Sequence, residues 1–137
     1  SKDGMDMAFC CWDKKTNKLL FSGANRPLYI IRSNRIVEEI KPTKISIGGF
    51  TSLLEEYALQ EAQLNKGDTV VMSSDGFADQ FGGAKEKKLT TKYFKNLLAE
   101  ISKEDVEKQK LILEEKFNQW KDGFSQTDDV LVFIFKI

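Results

Sequence analysis

Carboxylates at the ends of two apolar runs are the residues best suited to chemistry. Thr69–Met72 is short, β-branched and apolar, which predicts a fully buried strand. Asn65-Lys66-Gly67-Asp68 introduces it as a dense turn signal. The run stops at Ser73-Ser74-Asp75-Gly76. A buried strand would fix the position of Asp75, and Gly76 would let the backbone turn sharply away. Carboxylate oxygen suits a hard cation such as Mg²⁺ or Mn²⁺. The plainer reading is an Asx turn, with Asp75 accepting from backbone N–H groups. A second feature is Gln126-Thr127-Asp128-Asp129, followed by the apolar run Val130–Phe135. Adjacent acids repel each other and are costly near a core unless a cation or solvent compensates them. If the two runs are neighbouring antiparallel strands, Asp75 and Asp128 lie at the same end of one sheet, the geometry of a shared metal site.

The chain has no histidine. That removes His-based general base catalysis and His-ligated zinc, so any metal must be held by oxygens. Cys10 and Cys11 are adjacent; strand neighbours point to opposite faces and are poorly placed to bond each other. Both read as small core or half-buried residues of a reducing compartment.

Four stretches in order are similar to one family. They are Asp3-Gly4-Met5-Asp6-Met7-Ala8, Gly23-Ala24-Asn25-Arg26-Pro27-Leu28, Gly67-Asp68 through Ser74-Asp75-Gly76-Phe77-Ala78-Asp79, and Thr127-Asp128-Asp129. Together they resemble the metal-dependent (PPM-type) protein serine/threonine phosphatases. The branch they resemble is the bacterial one typified by the sporulation stage II protein E, and the resemblance runs the length of the chain. It implies a binuclear Mg²⁺ or Mn²⁺ centre, two ions per complete site, that activates water to attack a phosphoserine or phosphothreonine in line. Asp75 and Asp128 would be direct ligands by resemblance. Asp79, four residues after Asp75, would share its face if Phe77–Phe81 is helical, and could hold a metal-bound water or a weaker third ion. Asp129 reads equally as a supporting or a solvated group. Asp6 falls near the site in the family pattern, and Gly76 belongs to the motif.

One departure from the family is expected to matter. Family members carry an earlier strand whose Asp bridges the two metals, and no residue here fills that role. The expectation is one domain over residues 1–137, the C-terminal roughly two-thirds of a phosphatase domain and by itself inactive. By resemblance it would be the output domain of a larger cytoplasmic regulator, whose upstream part could carry a membrane or sensor region. Its substrate would be a phosphorylated signalling protein, such as an anti-sigma-factor antagonist of a partner-switching system. The alternative is a non-catalytic interaction module that keeps the fold. An uncovered sheet edge would promote homodimer formation.

The elements that must position these residues follow from pattern. Met5–Trp12 is a nearly continuous apolar run, predicted as a strand buried on both faces. Asp13–Lys18 reads as a hairpin loop, and Leu19–Ala24 as the partner strand. Pro27 breaks that strand. Leu28–Arg32 and Ile36–Ile40 complete a predicted four-strand meander. Pro42–Phe50 reads as an irregular crossover around Gly48-Gly49. Tyr57–Leu64 alternates imperfectly and is predicted to pair with Thr69–Met72 through the Asn65–Asp68 turn. Phe77–Phe81 reads as one helical turn ended by Gly82-Gly83. Tyr93, Phe94, Leu97, Leu98 and Ile101 mark the apolar face of one helix. Val106, Leu113, Phe117 and Trp120 mark a second, capped by Ser102 with Asp105, and that aromatic stripe reads as core. Strands, a helical pair and a returning strand predict an α+β fold: an antiparallel β-sandwich with helices on one outer face.

Composition narrows the class. A chain of 137 residues is one domain's worth, and 41% hydrophobic with 31% charged residues is ordinary for a globular domain. Net charge is zero, so no nucleic-acid or anionic-membrane footprint appears; Lys85–Lys88 is a short basic loop. No apolar run reaches membrane-spanning length.

Overall fold

The computed structural model describes residues 3–49 and 56–137. Two antiparallel sheets stack, and a helical pair covers one of them, so the architecture is α+β as the sequence predicts. The first hairpin is β1 (Met7–Asp13) and β2 (Lys18–Ala24), joined with Asp13 opposite Lys18. Asn17 closes its loop in the left-handed region, φ 57°, a conformation Asn tolerates. Its backbone N–H donates to the Asp13 carbonyl at 2.7 Å.

At Asn25-Arg26-Pro27 the chain leaves this sheet instead of continuing a meander. Asn25 takes φ 58°, and Pro27 offers no N–H to extend the β2 ladder. The next strand, β3 (Leu28–Ile31), therefore starts a second sheet, with β4 (Val37–Ile40) on one side. β5 (Gln60–Gln63) also departs from the expected pairing. It pairs with β2, Leu20 opposite Glu61, and not with the strand that follows it. The Asn65–Asp68 turn thus carries the chain across the sandwich rather than folding a hairpin.

β6 (Thr69–Ser73) lies between β3 and the last strand, β9 (Val132–Lys136), in a four-stranded sheet of order β4-β3-β6-β9. A central strand sees a core on each side, and β3 and β6 are buried along nearly their whole length. Leu28, Ile30 and Val70 face the other sheet with Leu19, Phe21 and Leu64. Tyr29, Ile31 and Val71 face the helices. Each such fully buried aliphatic side chain contributes about 1.5–3 kcal/mol.

β1, by contrast, is an edge strand with only one face covered. Ala8, Cys10 and Trp12 pack inward, whereas Phe9 is 64% exposed and Cys11 is also exposed. The apolar run at Met5–Trp12 therefore overstated burial, because a run without alternation does not reveal whether a second layer exists. β9 ends the other sheet, so both sandwich sheets carry an edge strand on which self-association could act.

After β6 come a helical turn, α1 (Gly76–Asp79), and a small hairpin of β7 (Phe81–Gly82) and β8 (Lys87–Lys88). Then come α2 (Thr91–Ile101) and α3 (Val106–Lys121). Phe94, Leu97, Leu98 and Ile101 bury the predicted face of α2, while Tyr93 is largely exposed. Leu113 and Phe117 bury the face of α3, with Trp120 packed beside them and Val106 exposed. The cap of α3 is Asp105, whose carboxylate accepts from Lys108 N at 2.8 Å. Ser102 instead ends α2, donating its hydroxyl to the Ala99 carbonyl at 2.8 Å. Asp105 takes the cap because it alone has the extended backbone that aims a side chain at the first-turn N–H groups. Among the described residues, no helix is long and apolar enough to cross a membrane. In the predicted crossover, residues 42–49 are described and Phe50 lies outside the described residues.

Candidate metal-binding site at the end of the β6–β9 ladder

β6 and β9 are antiparallel neighbours, with Ser73 opposite Val132. Antiparallel pairing places the C-terminal end of β6 beside the N-terminal approach to β9. The ladder runs on past the strands: Ser74 N donates to Leu131 O at 2.9 Å. The Ser74 hydroxyl donates to Asp129 O at 3.0 Å and accepts from Leu131 N at 2.9 Å. Ser74, which in the sequence stands only as part of the Ser74-Asp75-Gly76 motif with no role of its own, therefore ties residues 129–131 to the start of the Asp75 turn. Asp75 and the Asp128-Asp129 pair are held at the same end of the four-stranded sheet.

Asp75 is exposed, at the N-cap of α1, and its carboxylate accepts no capping hydrogen bond. The Asx-turn alternative is thus not what the side chain does. Gly76 is needed for a different reason from the one expected. Its φ is not left-handed; instead, a Cβ there would run into the Asp129 carbonyl. The Asp75 and Asp128-Asp129 segments approach so closely that only hydrogen fits between them. Gly76→Ala is accordingly expected to push residue 129 off the end of β6 and to cost about 1–3 kcal/mol. Chemical denaturation of the variant checks this; an unchanged midpoint would show that residue 129 gives way freely.

The Asp128 carboxylate accepts from Asp129 N at 2.7 Å, and the Asp128 carbonyl accepts from the Gln126 side chain at 2.9 Å. Both acids are exposed. Asp79 is joined to Asp75 through the helical turn, Asp79 N to Asp75 O at 3.0 Å. Its carboxylate lies 3.6 Å from Lys88 Nζ of the small hairpin.

Asp6 sits across a cavity of about 470 Å³ whose lining includes Asp6, Arg26, Ser73, Ser74, Asp75 and Phe133. Its carboxylate accepts from Ser46 Oγ at 2.6 Å and from Asn25 Nδ2 at 3.0 Å. These bonds, Ser46 first and then Asn25, hold its pKa below the ordinary carboxylate value, against a smaller opposing effect of burial. What they contribute to stability is present above the unfolded value and lost as pH falls through the lowered one.

Arg26, the residue at the inter-sheet corner, donates from Nε to Ser73 O at 2.8 Å and from Nη2 to Ser74 O at 3.3 Å. It brings a cation to the same cavity as Asp75. Its only sequence signal was its place between Asn25 and Pro27. A second cavity, about 450 Å³ between α3 and β9, is lined largely by Phe77, Leu113, Phe117 and residues 130–134 and holds no carboxylate pair.

The family profile of stage II sporulation protein E (SpoIIE) matches residues 2–137. The chain belongs to the SpoIIE family. The SiaA-PP2C domain of Pseudomonas aeruginosa superposes with a TM-score of 0.88 at 25% identity, over 96% of this chain and 51% of that one. The phosphatase domain of the cell fate determinant SpoIIE from Bacillus subtilis gives 0.72 at 18% identity, over 96% and 58%. That domain has also been solved presoaked with manganese. The structure of the RsbU and RsbW domains of Rv1364c from Mycobacterium tuberculosis gives 0.70 at 18%, over 96% and 35%. No curated protein matches the chain in sequence. The chain spans about half the length of the first two solved domains it matches.

In this SpoIIE-family chain the acids at the sheet end offer carboxylate oxygens alone, the donor type that suits Mg²⁺ or Mn²⁺. In kind, the residues fit such an ion. In number they fall short: among the described residues, no three His, Cys, Asp or Glu side chains come together as a ligand set.

Proposed function

We propose that this chain is the metal-holding C-terminal part of a protein serine/threonine phosphatase domain, acting as the output of a larger regulator. The observation that carries the reading is the β6–β9 register, which puts Asp75 and Asp128 at one sheet end with Asp75 uncommitted to any cap. Asp75 and Asp128 would hold the divalent ion, with Asp129 and Asp79 beside them. A bound pair of Mg²⁺ or Mn²⁺ ions supplies an activated water and neutralises charge on the phosphoryl group. This chain's own part would be to hold the acids just beyond the end of the β6–β9 ladder and to present the Arg26 guanidinium in the adjoining cavity, where it favours an anionic group. The substrate class would be a phosphoserine or phosphothreonine protein of a partner-switching circuit, a reading supported by the likeness in fold to the SiaA-PP2C domain and to the RsbU and RsbW domains.

Two acids holding one ion leave most of its hydration shell in place, and affinity follows the ligand charge count. Calorimetric titration of the 137-residue chain with Mn²⁺ is expected to show binding no tighter than about millimolar, the weak end of oxygen-ligand sites, with no hydrolysis of a phosphopeptide. Tight two-site binding with turnover would mean that a further carboxylate, Asp3 or Asp6, completes the site. The interaction-module reading draws on the same shortage of ligands. It would be favoured if the intact protein also neither bound Mn²⁺ tightly nor hydrolysed phosphopeptide.

A further inference from the structure

Residues 122–131 leave α3 and reach β9 without regular structure, yet they carry the acid pair. Backbone groups outside helix and sheet need partners from elsewhere. Two of those groups are met by one buried side chain. Gln80, fully buried, donates from Nε2 to Ser125 O at 3.0 Å and to Phe81 O at 2.9 Å. Its Oε1 accepts from Thr127 N at 3.0 Å. Two carbonyls on one side and an N–H on the other leave the amide a single satisfied orientation. The Gln80 backbone is pinned in turn, its carbonyl accepting from Trp120 Nε1 at 2.8 Å and from Leu89 N at 3.0 Å. Phe81 N adds a bond to Thr127 Oγ1 at 3.3 Å.

We infer that Gln80 is a positioning residue that sets Asp128 in place against Asp75. The inference rests on the metal-site reading above and extends it to a residue that touches no ion. The geometry is a two-point clamp, and both points lie on the segment that carries Asp75. Ser74 holds the chain at Asp129 and Leu131, on the far side of Asp128. Gln80 holds it at Ser125 and Thr127, on the near side. Asp128 lies between the two anchors. With both anchors within six residues of Asp75, any shift of the Asp75 segment carries Asp128 with it, so the pair keeps its spacing. Releasing one anchor leaves the strand pairing intact and frees only the approach to it.

The test uses Mn²⁺ itself as the probe on the 137-residue chain, followed by paramagnetic broadening of backbone amides, with hydrogen exchange measured in parallel. Gln80→Met keeps the bulk of the side chain and removes its amide. It is expected to raise the Mn²⁺ concentration for half-maximal broadening at Asp128 and Asp129 about tenfold, the low end for a residue that orients metal ligands. Exchange should accelerate at Thr127, while the β6–β9 ladder stays protected. Gln80→Leu, which likewise removes the amide without burying a charge against the Ser125 and Phe81 carbonyls, should shift the midpoint in the same direction and serves if the Met variant does not fold. Trp120→Phe, which removes the indole bond to the Gln80 carbonyl and part of the ring packed on Gly83 but leaves the Gln80 amide bonds to Ser125 and Thr127, should lower stability and shift the Mn²⁺ midpoint less than Gln80→Met does. An unchanged midpoint in Gln80→Met, or protection lost evenly along β6, overturns the inference. So does failure of both Gln80 variants to fold, which would make the residue a requirement of the core. If the unmodified chain shows no broadening at the sheet end, the metal reading fails instead. The exchange rate at Thr127 then still decides whether Gln80 holds the loop.

Discussion

Asp75→Ala in the intact protein is expected to abolish hydrolysis of a phosphoserine peptide while leaving the melting temperature nearly unchanged. The two halves of this result have separate causes. Asp75 is exposed and caps nothing, so its removal disturbs no packing and breaks no hydrogen bond that the helix needs. Exposed substitutions of that kind stay within roughly 0.5 kcal/mol. For activity, removing even a group that merely orients a metal ligand costs about 10–100-fold, and removing the ligand itself must cost at least that much. Asp128→Ala should lose activity alike, and it also loses the exposed bond its carboxylate accepts from Asp129 N at 2.7 Å. Turnover and thermal melts on the same preparations check both halves. Near-normal turnover would remove Asp75 from the site, and a large fall in melting temperature would assign it a structural role.

The largest effect on stability is expected at the opposite end of β6. Asp68 is 1% exposed. Its Oδ2 accepts from Arg32 Nη1 at 2.6 Å and from Asn65 N at 2.7 Å. Arg32 also donates to Glu38 Oε2 at 2.6 Å and to the Gln63 carbonyl at 2.9 Å. One aspartate thereby joins the β3–β4 turn, the end of β5 and the start of β6. Asp68→Ala leaves a half-buried guanidinium without its most buried partner and a turn N–H unpaired. Breaking a buried pair from one side costs about 3–5 kcal/mol. Here Arg32 keeps Glu38, whose hydrogen bond is the leading cause of its raised pKa, so about 2–4 kcal/mol is expected. That corresponds to a melting temperature lower by roughly 8–15 °C for a domain of this size. Asp68→Asn, which still accepts from Asn65 N, should lose less. A fall of under a degree or two for Asp68→Ala would mean that Glu38 alone secures the turn.

Asp68 and Asp75 also show where motif reading stops. Both belong to the one stretch that resembles the phosphatase motif, and spacing alone does not separate their roles. The structure separates them by burial and partner: Asp68 is sealed under Arg32, and Asp75 faces solvent beside a cavity. Ser74, read only as part of the motif, and Gln80 were assigned no role for the converse reason. A serine or glutamine gives no periodic or charge signal, and what each does depends on backbone groups more than forty residues away.

By itself the sequence determined the local elements, because these depend on neighbours in the chain. The β-branched run at Thr69–Met72, the apolar stripes of α2 and α3 apart from the exposed Tyr93 and Val106, and the hairpin at Asp13–Lys18 lie where their patterns put them. It also bounded the donor chemistry: a chain without histidine has no imidazole to offer a metal, and carboxylate oxygen is the donor type that suits a hard cation. Partner choice was decided only by the tertiary structure. The chain switched sheets at Pro27, β5 paired with β2, and β1 kept one face in solvent, because strand pairing is settled by which cores must be closed across the sandwich. The spacing of Asp75 and Asp128 belongs to the same class. It is fixed by a ladder, a missing Cβ at Gly76 and a buried amide, contacts between segments about fifty residues apart that no local pattern encodes.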